Sequence, residues 1–204
     1  MRERKRNRLQ GYDYSRNGYY FITICTQDRI DWFGEIRNGE MKLNKNGEII
    51  RQCWDDLPNH YHNVDLDVFV VMPNHVHGIV VVDNVSVGDG CGVVGVGFGD
   101  GKVGVGLKPT PTGITATTHG LSEIIRGFKT FSSRRINENL NNTQKFKWQR
   151  SFYDHVIRDD LSLYRIREYI INNPRKWERD RNNQDGLDLG ANVFKNNMMQ
   201  CVTR

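Results

Sequence analysis

Residues 64–82 read VDLDVFVVMPNHVHGIVVV. Two runs rich in Val and other apolar residues, 64–72 and 75–82, flank Pro73 and Asn74. β-Branched and aromatic side chains favour extended backbone, and Pro-Asn breaks it, so the stretch predicts two strands paired as an antiparallel hairpin. Toward the N-terminus, YYFITICT at 19–26 predicts a further strand. Residues 44–57 predict a helix: Asn44 suits an N-cap, Ile50, Cys53, Trp54 and Leu57 recur at helical spacing, and Pro58 helps to end it.

Toward the C-terminus, 121–139 predict a second helix with the apolar stripe Leu121, Ile124, Ile125, Phe128 and Phe131. FYDHVI at 152–157 predicts a strand. Asp159 then suits the cap of a third helix running to about Asn173, which Pro174 ends or kinks. The order is strand, helix, strand, strand, helix, strand, helix. That is an α+β fold, the βαββαβ ferredoxin-like sandwich, with an antiparallel sheet, two backing helices and an added C-terminal helix.

The 204 residues fit one domain, at 19–178, with a basic arm at 1–18 and a polar tail at 179–204. Residues 85–113 hold 10 of the 20 glycines, and GDGCGVVGVG and GDGKVGVG look like copies of one unit. Such a segment cannot build a packed core and is expected to be a flexible insertion. Gly90, Gly92 and Gly95 fall in GxGxxG spacing, but no helix pattern opens there, so a dinucleotide site is not expected. The four cysteines are far apart and form no CxxC pair, which argues against a disulfide framework or a Cys-rich zinc site. No signal peptide or run of 18 apolar residues is present, so a soluble, cytoplasmic protein with no membrane partner is expected. A net charge of +5 favours an anionic partner, nucleic acid first.

On a strand, side chains alternate faces, so His75 and His77 point the same way and Val76 points into the opposite layer. Two imidazoles so placed can converge on a metal ion, whereas a bare HxH is more often two partly buried histidines. His60 and His62 have the same spacing in a polar stretch after Pro58 and are expected to be surface residues. In REYIINNP, 167–174, Tyr169 and Asn173 share a helix face. Asn can lend a carbonyl oxygen to a metal and Tyr a nucleophilic hydroxyl; a packed tyrosine and a helix C-cap are the plainer alternatives. Tyr164 competes, but lies five residues earlier and lacks an Asn at i+4.

PNHVHG together with REYIINNP resembles the REP-associated tyrosine transposases, relatives of the single-tyrosine HUH-endonuclease transposases of insertion sequences that move as single-stranded DNA. WQRSFYDHVIR, 148–158, and LSEIIRGFKTFSSRRIN, 121–137, are similar to that family too, and the likeness covers roughly residues 15–178. It implies that His75 and His77 bind a divalent metal, Mg²⁺ or Mn²⁺, that Tyr169 is the nucleophile, and that Asn173 completes the metal site. It implies nicking and rejoining of single-stranded DNA beside a hairpin through a 5′-phosphotyrosine. Family members occur as monomers and as dimers with shared sites, so a homodimer stays open. Arg126, Lys129, Arg134, Lys147 and Arg150 are the expected DNA contacts, joined by Lys145. The rival readings are a catalytically retired DNA-binding protein of the same fold, a metal-dependent hydrolase that uses water, and a replication or conjugation initiator.

Overall fold

In the computed structural model, extended and helical segments alternate as the hydrophobic pattern requires. Strand β1 is Gly18–Cys25; β2, Gly34–Arg37, and β3, Glu40–Leu43, form a small hairpin. Helix α1 is Lys45–Asp55 and α2 Leu57–His60. Strands β4, Val64–Met72, and β5, His75–Val82, form the central hairpin. Helix α3 is Leu121–Glu138, strand β6 Tyr153–Ile157 and helix α4 Asp160–Ile171. The structure describes residues 9, 11–84, 118–140, 144–180, 182 and 183. The expected insertion at 85–113 lies outside them, as do half of the arm at 1–18 and most of the tail at 179–204. Among the described residues, no helix is long and apolar enough to cross a membrane.

The main sheet has the order β4-β5-β1-β6, with every neighbouring pair antiparallel. This is the ferredoxin-like arrangement: the first strand sits between the third and fourth of the βαββαβ unit. One face carries Tyr20, Ile22, Ile24, Val76 and Val80, which pack with Ile50, Trp54, Ile124, Ile125 and Phe128 of α1 and α3. The other face carries Phe21, Ile79 and Ile157, which pack with Leu163 and Ile170 of α4. Burying each such large side chain contributes about 1.5–3 kcal/mol. The alternation of β5 therefore sends Val76 into the α1/α3 core and leaves His75 and His77 on the side that α4 covers.

The caps at Asn44 and Asp159 form as the sequence suggests. Asn44 accepts from the Gly47 amide at 3.0 Å, and Asp159 from the Ser162 amide at 2.8 Å. Four local expectations are corrected. Helix α1 stops at Asp55 rather than 57, and Pro58 sits in the first turn of α2, where its missing N–H costs nothing. Phe131 is 47% exposed instead of buried, its ring stacked on His60. Helix α4 stops at Ile171, and Pro174 opens a 3₁₀ turn, Pro174–Arg179. The β2–β3 hairpin was not expected, although Asn38-Gly39 announces it. Both residues take positive φ (53° and 75°), as a type I′ turn demands.

Gly78 shows how tightly the sheet meets α1. A Cβ there would lie 2.6 Å from Trp54 and 2.9 Å from Phe69, whose rings stack at 4.3 Å. Neither large ring can yield without disturbing the other. We predict that Gly78→Ala destabilises the protein by about 1–3 kcal/mol. An unchanged urea midpoint for the variant would contradict this packing.

Candidate active site

His75 is fully buried, and His77 nearly so. Their Nε2 atoms face each other at 3.0 Å. Each Nδ1 is engaged on the far side of its ring, with Asn74 Oδ1 at 2.9 Å for His75 and Thr23 Oγ1 at 2.8 Å for His77. Register explains the second contact, because Thr23 lies directly opposite His77 in the β1–β5 ladder.

The Asn74 amide has a determined orientation. Its Nδ2 is directed at three oxygens: Arg29 O at 2.9 Å, Asp31 Oδ1 at 2.8 Å and Asn182 O at 3.0 Å. Its Oδ1 must therefore accept, so His75 Nδ1 carries the proton and His75 Nε2 presents a lone pair. Thr23 is less restrictive, because a hydroxyl both donates and accepts. In one tautomer, His77 Nε2–H donates to His75 Nε2 while Thr23 donates to His77 Nδ1. In the other, the His77 proton resides on Nδ1 and is donated to Thr23. Both Nε2 lone pairs then converge on one point.

Helix α4 covers this point. The half-buried Tyr169 ring lies 5.3 Å from His77 and 6.0 Å from Phe21, while Tyr164 is 61% exposed. Arg167, two residues before Tyr169, donates to both oxygens of Asp67 on β4, with two contacts at 3.0 Å. That fork fixes the helix relative to the sheet, and Asp67 holds the guanidinium pKa above its ordinary value. Asn173 is buried, and its Oδ1 has no hydrogen-bond partner among the described residues, an acceptor of the kind a cation could satisfy. Two imidazoles with an oxygen donor form a set that could hold a divalent ion.

Two features past α4 escaped the sequence reading. Trp177 stacks on His75 at 5.9 Å. Asp180 brings a carboxylate oxygen to the histidines, the three ligand atoms lying within 4.8 Å of one another. Neither carried a signal in the sequence; both depend on the turn that follows Pro174. The pair of surface histidines behaves as expected: His60 and His62 are exposed, and His60 bonds Asp56.

A groove of about 700 Å³ runs between α3 and residues 145–152, lined by Arg126, Lys129, Lys145, Lys147 and Arg150 among others. Four of the five expected DNA contacts thus share one surface. Arg134 does not line it and instead pairs with Glu138 at 2.9 Å. Lys129 is half-buried, and its ammonium donates to the Gln149 and Arg150 carbonyls at 2.6 and 3.0 Å. Burial lowers its pKa, and its two bonds tie α3 to residues 149 and 150. That wall joins the histidine end of the sheet, since Gln149 N donates to Cys25 O and Cys25 pairs with His75.

Comparison with known proteins places these features in context. Residues 114–173 match the family model described as "Transposase IS200 like". An uncharacterized protein of Haemophilus influenzae is 36% identical over 183 residues, 89% of this chain and 93% of that one. Among solved structures, a REP-associated tyrosine transposase bound to a REP hairpin is 18% identical with a TM-score of 0.48, covering 87% of this chain and 74% of that one. A candidate transposase from Deinococcus radiodurans R1 is 15% identical with a TM-score of 0.42, covering 81% and 95%.

Proposed function

We propose that this chain, a member of the IS200-like transposase family by its match over residues 114–173, nicks and rejoins single-stranded DNA through Tyr169. The observation that carries the reading is the paired Nε2 atoms of His75 and His77 at 3.0 Å, with the Tyr169 ring 5.3 Å from His77. His75, His77 and Asn173 would hold a divalent ion, Mg²⁺ or Mn²⁺. Such an ion supplies Lewis-acid polarisation of a phosphate and neutralises developing charge.

The Tyr169 hydroxyl attacks the scissile phosphorus. A bond forms from the phenolic oxygen to phosphorus, and the bond from phosphorus to the 3′-oxygen breaks. The phenol loses its proton to solvent or a base, and the departing 3′-oxygen gains one. The product is a 5′-phosphotyrosine and a free 3′-hydroxyl. The phosphodiester energy is kept in the covalent link, so a second 3′-hydroxyl reverses the step and rejoins DNA without ATP. Arg167 and Asp67 set the position of the helix that carries the nucleophile.

The substrate we propose is single-stranded DNA beside a hairpin, acting in a cytoplasmic protein that works as a monomer or a homodimer. The groove supports backbone binding. None of Lys145, Lys147 and Arg150 pairs with a carboxylate among the described residues, so all three can meet phosphates. We predict that Lys147→Ala/Arg150→Ala weakens DNA binding and lowers the slope of log affinity against log salt by about 1–2. Equal slopes for wild type and the double variant in a fluorescence-anisotropy salt series would remove these residues from the interface.

Covalent trapping tests the function itself. Full-length protein, Mn²⁺ or Mg²⁺ and labelled hairpin DNA from beside the gene should yield a protein–DNA adduct that survives denaturing electrophoresis. Binding without cleavage, on a substrate that an active relative cuts, would identify a retired DNA-binding protein instead.

A further inference from the structure

We infer that Asp180 is a protein ligand of the divalent ion held by His75 and His77, so that the site contains a carboxylate as well as two imidazoles. The inference rests on the metal reading above and extends it to a residue beyond the tyrosine helix. Three observations carry it.

The first is proximity. The ligand atoms of His75, His77 and Asp180 lie within 4.8 Å of one another. An octahedral ion with bonds of about 2.1 Å holds adjacent ligand atoms about 3.0 Å apart and opposite ones about 4.2 Å apart. The 3.0 Å between the two Nε2 atoms fits an adjacent pair as it stands. With all three ligands on one face of an ion, the carboxylate oxygen would close from at most 4.8 Å to about 3.0 Å, a shift of up to about 1.8 Å.

The second is how the chain delivers Asp180. After α4, the turn Pro174–Arg179 brings the backbone back over β5, and Trp177 stacks on His75. Past Asp180, the buried Asn182 is fastened to the same place, because its carbonyl accepts from Asn74 Nδ2 at 3.0 Å. The Asn182 amide donates to Asp180 Oδ1 at 2.7 Å and orients the carboxylate. Asn74 therefore ties together His75, whose tautomer it sets, and the loop that presents Asp180. A ligand held by its neighbours in this way loses little freedom on binding.

The third is the chemistry of the donor set. Two neutral imidazoles leave the full double charge of the ion uncompensated in a buried place, and Mg²⁺ prefers oxygen ligands. A carboxylate corrects both, and two histidines with one carboxylate on a single face leave positions open for a phosphate.

The test is Mn²⁺ binding to the full-length protein, read by loss of the free-ion EPR signal and by calorimetry, with metal-free thermal unfolding alongside. The expected pattern is one Mn²⁺ per wild-type chain, none for His75→Ala, and affinity at least about 10-fold weaker for Asp180→Asn. Asp180→Cys should gain at least about 10-fold in preference for Cd²⁺ over Mn²⁺, because thiolate selects soft ions. Wild-type affinity in Asp180→Asn, with binding lost in His75→Ala, overturns the role of Asp180 and leaves the histidine site standing. No Mn²⁺ on the wild type overturns both. If Asp180→Asn also unfolds several degrees earlier without metal, the Cys variant decides: a gained Cd²⁺ preference supports ligation, and no gain overturns it.

Discussion

Replacing Tyr169 with Phe abolishes the covalent protein–DNA adduct and lowers strand cleavage by at least about 10³-fold, on the proposed mechanism. The substitution removes one oxygen and keeps the ring. The ring contacts with Phe21 at 6.0 Å and His77 at 5.3 Å therefore persist, and α4 stays clamped through Arg167 and Asp67. Stability and Mn²⁺ affinity should match wild type, which separates loss of the nucleophile from loss of the site. Tyr164→Phe is the matched control: that side chain is 61% exposed and outside both cores, so its adduct yield should be unchanged. The measurement is a denaturing gel of labelled hairpin DNA with each variant. Cleavage that survives Tyr169→Phe would mean that water is the nucleophile and Tyr169 a packing residue. An adduct lost in Tyr164→Phe and kept in Tyr169→Phe would make Tyr164 the nucleophile.

Elements with one dominant apolar period were legible in the sequence. The hairpin at 64–82 forms as 64–72 and 75–82, because its Val-rich runs bury on both faces of a sheet and have no helical competitor. The caps at Asn44 and Asp159 act locally, over three residues, and local chemistry is what a sequence displays. The β2–β3 hairpin was also local, and Asn38-Gly39 is a strong turn signal; what hid it was charged flanks, GEIR and EMKL, that no core buries fully. The fate of Phe131 was not local: its stacking on His60 depends on where α2 lands. The site divides in the same way. His75 and His77 share a face by strand geometry alone. Thr23 supports His77 only through β1–β5 register, 54 positions apart in sequence. Asn74 and Asn182 meet across 108 positions, and Asp180 arrives on the same loop, so no spacing rule could pair them with the histidines.

The histidine pair carries the second large expected effect. His75→Ala should lower Mn²⁺ affinity by more than about 100-fold and remove the metal-dependent part of cleavage, since a first ligand matters at least as much as the groups that orient it. The supporting residues should grade this loss. Thr23 is buried, and its hydroxyl is 2.8 Å from His77 Nδ1. Thr23→Val keeps the shape but leaves that nitrogen without its partner. The His77 proton then loses the Thr23 acceptor on the Nδ1 side, so moving it off Nε2 to make room for a metal becomes more costly. Mn²⁺ affinity should fall about 10–100-fold, the range for lost supporting hydrogen bonds. The direction with pH follows from the same proton. Binding at Nε2 competes with protonation of the imidazoles, so affinity falls when the pH is low enough to protonate them. Calorimetric titrations of wild type, Thr23→Val and His75→Ala at several pH values measure all three effects. Wild-type affinity in Thr23→Val would show that His77 reaches its metal-binding tautomer unaided. Affinity independent of pH would show that neither Nε2 meets the ion, and the paired nitrogens would then be a buried hydrogen bond within the α4-covered face.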